Sequence, residues 1–293
     1  MIRILDNPVS SYENIDIYTS NQKSYVDNFS KQWKDFKNTQ IDSYNKTNIT
    51  FEHLKKLTFE NIDLISNKNI LEIGCGSGRY SEYLVKQAKQ LFISDYSEAV
   101  YFNDVRKNPK VTAIRADLFN MPNFSEKFDV VFCRGVLQHL PDPLEGIKIL
   151  HSLVNKNGIV IFDIYKKPRL SFLNSKYVWR HIIKLFFDYN TIKKFLEKNI
   201  EKILRFRWKI NDFFRFNFNY LFDYFFPIYD YRGKLNLSDK ALIEWAILDT
   251  LDGLFAYYDK PYSVKQITKF LNQNNIQLIS MNKNISCYLT SRK

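Results

Sequence analysis

The residues best suited to chemistry begin with a glycine-rich stretch, LEIGCGSGRY, at positions 71–80. Three of the chain's eight glycines fall within five residues there, directly after the apolar run NILEI. Glycine lets the backbone turn sharply and approach a ligand closely, and a helix that starts after such a turn offers free N–H groups. The stretch therefore predicts a ligand-binding loop between a strand and a helix.

The spacing of the glycines narrows the class of ligand. A dinucleotide site expects G-x-G-x-x-G, but the position of the third glycine holds Arg79 or Ser81, depending on which glycine starts the motif. No G-K-[ST] follows, so the pattern also excludes a phosphate-binding P-loop. The stretch instead has the form E-x-G-x-G-x-G from Glu72 to Gly78.

Acidic residues follow the next two predicted strands. Asp95 closes LFISDYS, 23 residues after Glu72, and Asp117 follows VTAIRA. Open α/β sheets bind ligands at the carboxyl ends of their strands, where an acid can accept hydrogen bonds from both hydroxyls of a ribose. The two aspartates therefore follow strands at the predicted ligand-binding edge, beside the glycine loop.

A histidine supplies a candidate general base. The chain has four histidines, His53, His139, His151 and His181, and His139 lies in LQHLPDP just after the fourth predicted strand. Imidazole is the natural base near neutral pH, and Asp163, near the end of the fifth predicted strand, could orient it. His139 and Asp163 are the predicted catalytic residues, and a structural role for the histidine stays open.

The elements that must position these residues alternate along the chain. Strands that alternate with helices of about a dozen residues predict βαβ units, right-handed crossovers and a doubly wound parallel sheet. The predicted strands are 69–73, 90–94, 111–116, 127–133, 158–165, 276–281 and 285–291. The predicted helices of the core and the N-terminal region are 50–65, 78–89, 97–107, 144–154 and 263–272.

The ordered set of motifs between residues 70 and 165 resembles the class I S-adenosylmethionine-dependent methyltransferases. E-x-G-x-G-x-G resembles their motif I, FDVVFCRGVLQHLPDP their fourth-strand motif and LVNKNGIVIFDIY their fifth-strand region. The resemblance implies a Rossmann-like α/β fold of seven strands with the last one antiparallel. It also implies S-adenosylmethionine as cofactor and methyl transfer as activity.

The resemblance further implies which residues hold the cofactor. The backbone of Gly74–Gly78 should face the methionine moiety, Asp95 the ribose and Asp117 the adenine, and the residues after the fourth strand should line the sulfonium side. For Arg79, an ordinary exposed helix position is an equal alternative. The predicted cofactor-binding residues are Glu72, Ile73, Gly74, Cys75, Gly76, Gly78, Arg79, Tyr80, Asp95, Tyr96, Asp117, Leu118, Cys133 and Arg134.

The segment around His139 also bears on the chemical class of the methyl acceptor. Its H-x-P-D motif is similar to that of small-molecule and sugar O-methyltransferases, which implies methylation of a sugar, glycoconjugate or small-molecule hydroxyl. Stretches 29–45, whose aromatics could cap the cofactor, and 249–271 resemble methyltransferases of bacterial surface-polysaccharide gene neighbourhoods. Gln138 stands where metal-binding quinone-biosynthesis relatives carry acids, and the three scattered cysteines form no C-x-x-C pair, so we expect no metal.

Most of the net charge of +12 lies in one segment. Residues 166–215 hold fourteen Lys and Arg and four acids, which favours polyanions, phosphorylated substrates or an anionic membrane surface. The block 205–231 contains 13 aromatics in 27 residues. Three interpretations stay open for this block: a helical core, a surface that touches a membrane or a lipid-linked substrate, and an RNA-binding surface. An RNA methyltransferase and a non-catalytic S-adenosylmethionine-binding protein are the alternative functions.

The sequence predicts four regions. Residues 1–66 should form an N-terminal helical cap and 67–165 the Rossmann-like core. An aromatic and basic insertion, 166–260, should form an acceptor lid, and 261–293 should complete the sheet. No 18-residue apolar run and no signal-peptide pattern occur, so we expect a cytoplasmic protein, with peripheral membrane contact as a further possibility.

Overall fold

The structure, a computed structural model, describes residues 1–19, 25–167, 175–214, 222, 224–225 and 227–292. The strands are β1 (Ser10–Tyr12), β2 (Ile15–Ile17), β3 (Asn69–Ile73), β4 (Gln90–Asp95), β5 (Val111–Arg115), β6 (Phe128–Cys133), β7 (Val154–Asp163), β8 (Ile276–Asn282) and β9 (Cys287–Arg292). The α-helices bounded within these residues are α1 (Asp27–Asp35), α2 (Asp42–Asn45), α3 (Ile49–Leu57), α4 (Ser81–Gln87), α5 (Pro143–Leu153), α6 (Ser175–Phe186), α7 (Tyr189–Phe214), α8 (Asp239–Phe255) and α9 (Val264–Gln273). Short 3-10 turns are Ile62–Leu64, Glu98–Phe102, Asp104–Lys107, Leu118–Asn120 and Leu137–His139.

The strands within the described residues form one mixed sheet in the order β1-β2-β5-β4-β3-β6-β7-β9-β8. Strands β3 to β7 run parallel, and β9 is antiparallel to both β7 and β8. The strand order changes direction between β3 and β6, which is where open α/β sheets bind ligands. The predicted Rossmann-like α/β fold with an antiparallel last strand is confirmed.

The predicted number of seven strands was wrong, because the described residues form nine. The two additional strands, β1 and β2, are a hairpin, and β2 pairs in parallel with β5. The two turn residues between them, Glu13 and Asn14, have φ of 49° and 62°, as a tight two-residue hairpin turn requires. Each strand has three residues, which is too short for a periodic pattern to reveal. The region predicted as a helical cap therefore begins with strands that extend the sheet edge.

The core lies on both faces of the sheet. Along β3, Leu71 and Ile73 belong to one buried apolar cluster and Ile70 to another, and along β6 the same alternation separates Val131 from Val130. Successive side chains of a strand point to opposite faces, so the two clusters cover the two sides. A parallel sheet covered on both sides needs strands that are mainly apolar on both faces, which explains the largely apolar runs NILEI and GIVIF.

Local capping sets the helix positions around the site. Asp142 accepts hydrogen bonds from the N–H groups of Leu144 and Glu145 at 3.0 and 3.1 Å and so starts α5. The predicted helix 97–107 is instead two 3-10 turns. Asn103 separates them, because its buried side chain accepts from the N–H of Val105 and donates to Ser81 Oγ.

The chain forms two compact units. The first contains residues 1–37, 50–167 and 258–293 and carries the sheet. The second contains residues 38–49 and 168–257, and its described part is helical, with α6 and α7 both packed on α8. Inside the second unit a buried ion pair joins Arg207 and Asp230 at 3.1 Å, and Trp208 Nε1 donates to the same carboxylate. None of the helices in the described parts of the chain is long and apolar enough to cross a bilayer.

Candidate functional site

The glycine loop joins β3 to α4 in the first unit. Gly74 has a φ of +72°, and a Cβ placed on it would lie 2.1 Å from Val136 Cγ2. A Cβ on Gly76, whose φ is +52°, would lie 3.3 Å from the indole ring of Trp33. Both the left-handed backbone and the close neighbours require glycine at these positions. The loop therefore has bare backbone at the point where the sheet order reverses.

The buried carboxyl of Glu72 anchors this loop to the interior of the first unit. The Glu72 carboxyl lies inside the first unit, where Ser81 Oγ donates to its Oε2 at 2.5 Å and Asn103 Nδ2 donates to Ser81 Oγ at 2.9 Å. Burial raises the pKa of Glu72 to about 8. The chain of three polar side chains ties the end of β3 to the first residue of α4. Glu72 thus supports the loop from a position that is only 2% exposed to solvent.

Asp95, at the end of β4, binds the same loop directly. Its Oδ2 accepts from the Gly76 N–H at 2.8 Å, and its Oδ1 accepts from the N–H and the hydroxyl of Ser97 at 2.8 and 2.6 Å. Burial raises the pKa of Asp95, and these donors oppose that rise. The glycine loop and the acid at the end of the neighbouring strand are therefore hydrogen-bonded to each other, and Ser97, which was not predicted, takes part. The contact of Asp95 with a ribose stays a prediction.

Asp117 follows β5 and lies next to aromatic side chains. Its Oδ1 accepts from the Phe119 N–H at 3.1 Å and from the Tyr25 hydroxyl at 3.4 Å. Burial raises the pKa of Tyr25, so this phenol is a protonated donor. The Tyr25 ring lies 5.4 Å from the ring of Tyr96 and 5.5 Å from that of Tyr258. Asp117 and Tyr96, both predicted cofactor residues, therefore share a neighbour that the sequence analysis missed.

Tyr25 belongs to a row of aromatics along α1. Tyr25 precedes the helix, and Phe29 and Trp33 follow at intervals of four residues, which places the latter two on one helix face. Phe29 meets the ring of His139 edge-on at a centroid distance of 5.0 Å. This row contacts Asp117 through Tyr25, the candidate base His139 through Phe29, and the glycine loop through Trp33. The four-residue spacing of these aromatics is visible in the sequence, and it could have extended the predicted capping stretch 29–45 back to Tyr25.

His139 ends the 3-10 turn after β6 and is 6% exposed. Its Nδ1 lies 2.9 Å from the carbonyl oxygen of Tyr258. A carbonyl can only accept, so Nδ1 carries a proton, and in the neutral imidazole the lone pair is therefore on Nε2. The N–H of Lys260 donates to the Gln138 carbonyl at 2.8 Å and holds the same segment in place. The ring of Tyr165 meets the imidazole edge-on at 5.6 Å.

Asp163, the other predicted catalytic residue, has a different partner. At the end of β7 its carboxylate forms an ion pair with the Arg134 guanidinium and accepts from the Gly135 N–H at 2.6 Å. A carboxylate that is 2% exposed requires such a charge partner. Within the described residues, the Tyr258 carbonyl and not Asp163 is hydrogen-bonded to His139. The proposed His139–Asp163 pair is therefore not brought together by a hydrogen bond.

The remaining predicted residues surround these groups. Burial raises the pKa values of the Cys75 and Cys133 thiols, which keeps both protonated and inert. The Tyr80 hydroxyl lies 2.6 Å from Nδ1 of His53, whose pKa burial lowers to about 3, so that imidazole is neutral. Ile73 and Leu118 are core side chains. Arg79 is half-buried, and its guanidinium lies over the ring of Tyr80. The described residues contain no cluster of side chains able to hold a metal ion.

Near the glycine loop and His139, the described residues include two buried polar side chains without a hydrogen-bond partner. One is the hydroxyl of Ser77, inside the glycine loop, and the other is the amide of Gln138, which is fully buried next to His139. Buried polar groups in native proteins are nearly always satisfied, so such groups mark places where a ligand completes the bonding. Bare glycine backbone, acids at two neighbouring strand ends and an unsatisfied loop hydroxyl fit a nucleoside-containing cofactor.

Comparison with known proteins gives three findings. Residues 12–205 match the family model described as Methyltransferase domain. A tRNA U34 carboxymethyltransferase of Campylobacter jejuni subsp. doylei is 35% identical over 105 residues, which are 34% of this chain and 36% of that protein. A ubiquinone biosynthesis O-methyltransferase of Histophilus somni is 26% identical over 155 residues, 44% of this chain and 60% of that protein.

Among solved structures, the fold is similar to magnesium protoporphyrin IX methyltransferase of Synechocystis PCC 6803 with bound SAH. The TM-score is 0.45 and the identity 14%, over 94% of this chain and 91% of that one. The sequence match to the tRNA U34 carboxymethyltransferase, by contrast, spans about a third of that protein's length.

Proposed function

The chain belongs to the Methyltransferase domain family and is an enzyme that uses S-adenosylmethionine, and from that premise we propose that it methylates a hydroxyl oxygen with His139 as the general base. The single observation that carries the proposal is the hydrogen bond between His139 Nδ1 and the Tyr258 carbonyl. A base must present a lone pair, and this bond leaves the lone pair on Nε2.

The cofactor site in this proposal uses the residues around the glycine loop. S-adenosylmethionine supplies an electrophilic methyl group on a positively charged sulfur. The glycine backbone would hold its methionine part, Asp95 its ribose hydroxyls and Asp117 its adenine. Support comes from the positive-φ glycines, from the unsatisfied Ser77 hydroxyl and from the position of both aspartates at the ligand edge of the sheet.

The proposed role of His139 is proton transfer. As the acceptor oxygen bonds to the methyl carbon and the carbon–sulfur bond breaks to leave neutral S-adenosylhomocysteine, the hydroxyl proton would pass to Nε2 of His139, and the Tyr258 carbonyl on Nδ1 would stabilise the imidazolium charge. The rings of Phe29 and Tyr165 pack edge-on against the imidazole, which limits its exposure to water. Asp163 has no hydrogen bond to the imidazole and would act on this step through its charge and through its contacts with Arg134 and the Gly135 N–H.

The test is an activity screen with labelled S-adenosylmethionine against nucleotide sugars, phenols and RNA, repeated with His139→Ala. Loss of a general base lowers turnover by about 10²- to 10⁴-fold, and S-adenosylmethionine affinity by calorimetry should stay unchanged. His181→Ala, which removes an exposed histidine of the second unit, is the matched control. Near-normal turnover of His139→Ala on the acceptor that the screen identifies would refute the role of the base.

A nucleic-acid acceptor is the second candidate function. It is supported by the similarity to a tRNA U34 carboxymethyltransferase and by the fourteen cations of residues 166–215. Residues 168–174 and 215 of that segment, and residues 215–221, 223 and 226 of the aromatic block, lie outside the described residues. Label transferred to RNA and not to hydroxyl-bearing small molecules would favour this candidate. A sugar or glycan acceptor, a place in polysaccharide biosynthesis and a lid formed by residues 166–260 stay predictions from the sequence.

A further inference from the structure

Helix α7, in the second unit, has two faces of opposite exposure. Leu196, Ile200, Leu204 and Trp208 recur every fourth residue and are buried. The other face carries three exposed phenylalanines: Phe195 at 52%, Phe206 at 60% and Phe213 at 81% exposure. The buried face packs the helix on its unit, whereas each of the three phenylalanines is more than half exposed, and Phe213 also meets the ring of its neighbour Phe214 edge-on at 4.9 Å.

The three phenylalanines lie along one line of the helix. They are separated by 11 and 7 residues, close to three and two full turns, so their side chains point in the same direction. At 1.5 Å per residue the row is about 27 Å long. Leu185, Phe186 and Phe187, just before α7, are also exposed, at 78%, 74% and 50%. Apolar surface on this scale marks an interaction site.

Lysines accompany this row. Lys202 and Lys209 follow Phe195 by about two and four turns, and Lys198 lies on the same flank. All three are exposed, and among the described residues none has a carboxylate partner. The acids of α7 are bound elsewhere: Glu197 by Lys193, Glu201 by Arg205 and Asp212 by Arg232. The outer face is therefore cationic along one side and aromatic along its centre.

From this arrangement we propose that the outer face of α7 binds the surface of a bilayer that contains anionic phospholipids. The helix lies in the plane of the interface, the phenylalanines enter the boundary between headgroups and acyl chains, and the lysines contact lipid phosphates. Proteins that bind single-stranded nucleic acid stack bases on aromatics inside a cationic groove, whereas these rings stand outward on a convex helix. The proposal is independent of the methyl acceptor.

The test is co-sedimentation with vesicles of pure phosphatidylcholine and of an equimolar mixture with phosphatidylglycerol. The protein should bind only the anionic vesicles. The triple variant Phe195→Ser, Phe206→Ser, Phe213→Ser should lose this binding. The variant Lys198→Gln, Lys202→Gln, Lys209→Gln should bind about fivefold more weakly for each lysine removed. The control Lys156→Gln, Lys265→Gln, Lys283→Gln removes the same charge from exposed positions of the first unit and should bind as the wild type does.

Several results would overturn the proposal. Wild-type protein that binds neither vesicle refutes it, as does a control variant that loses as much affinity as the α7 lysine variant. Retention of vesicle binding by the phenylalanine variant excludes insertion. A gel shift with RNA that the α7 variants alone abolish assigns the face to nucleic acid, and a halved mass of the phenylalanine variant in light scattering assigns it to a second copy. S-adenosylmethionine titration of every variant verifies that the core remains folded.

Discussion

Replacing Glu72 with glutamine should change how the stability of the protein depends on pH. Burial raises the pKa of this carboxyl from its ordinary 4.5 to about 8. Between these values the folded state keeps the proton and the unfolded state releases it. The contribution of Glu72 to the free energy of unfolding is therefore fully present below pH 4.5 and decreases as the pH rises towards 8. The glutamine side chain of the variant carries no titrating proton, and its amide oxygen can still accept from Ser81.

The magnitude follows from the width of this window. At 1.36 kcal/mol for each pH unit, a pKa that rises from 4.5 to about 8 corresponds to about 5 kcal/mol. Between about pH 6 and pH 8 the difference in the free energy of unfolding between the Glu72→Gln variant and the wild type should increase by about 2 kcal/mol. Glu72 is 2% exposed, so solvent screening reduces this value little.

Urea unfolding followed by tryptophan fluorescence at several pH values and constant ionic strength measures this difference. The matched control is Glu126→Gln, which removes one carboxylate from an exposed position and should follow the wild type throughout. If the free energies of the wild type and of Glu72→Gln stay parallel across this pH range, the carboxyl does not exchange its proton there. The account of Glu72 as a buried, protonated anchor of the glycine loop would then be wrong.

Two further predictions concern the ligand edge. Asp95→Ala should weaken S-adenosylmethionine binding in calorimetry by about 10- to 100-fold, because a hydrogen bond to a charged group contributes about 1.5–3 kcal/mol, and unchanged affinity would exclude the ribose role. Gln138→Leu should raise the free energy of unfolding of the ligand-free protein by about 1–3 kcal/mol, because it removes a buried amide that has no partner in the described residues. Thermal unfolding measures this change, and a less stable variant would show that the amide is satisfied.

The central strands could be predicted from the sequence and several helix ends could not. The runs NILEI and GIVIF are mainly apolar, as strands covered on both faces must be, so β3 and most of β7 were evident. The predicted helix 50–65 ends at Leu57, and Phe59 and Glu60 then take positive φ of 55° and 60°. Phe and Glu are not residue types that favour a left-handed backbone. The local sequence favours a longer helix, and tertiary packing determines where the helix ends.

In the candidate site, too, some residues could be predicted from the sequence and others could not. The positions of the glycine loop, Asp95 and Asp117 followed from motif spacing along successive βα units. The contacts of His139 with Tyr258 and of Asp117 with Tyr25 join residues 119 and 92 positions apart, and no local pattern encodes them. Asp163 and His139 share no hydrogen bond for a related reason, because Arg134, on the neighbouring strand end of the same edge, forms an ion pair with the buried carboxylate.

The antiparallel strand β9 has a consequence for synthesis on the ribosome. It pairs with β7 so that Asp163 faces Cys287, which is 124 residues later in the chain. At a translation rate of about 5–20 residues per second, β7 emerges roughly 6–25 s before its partner exists. During that time an apolar strand has an unpaired edge, which is a template for aggregation. Chaperone demand and yield at high expression rates should therefore depend on how quickly the residues between Asp163 and Cys287 are translated.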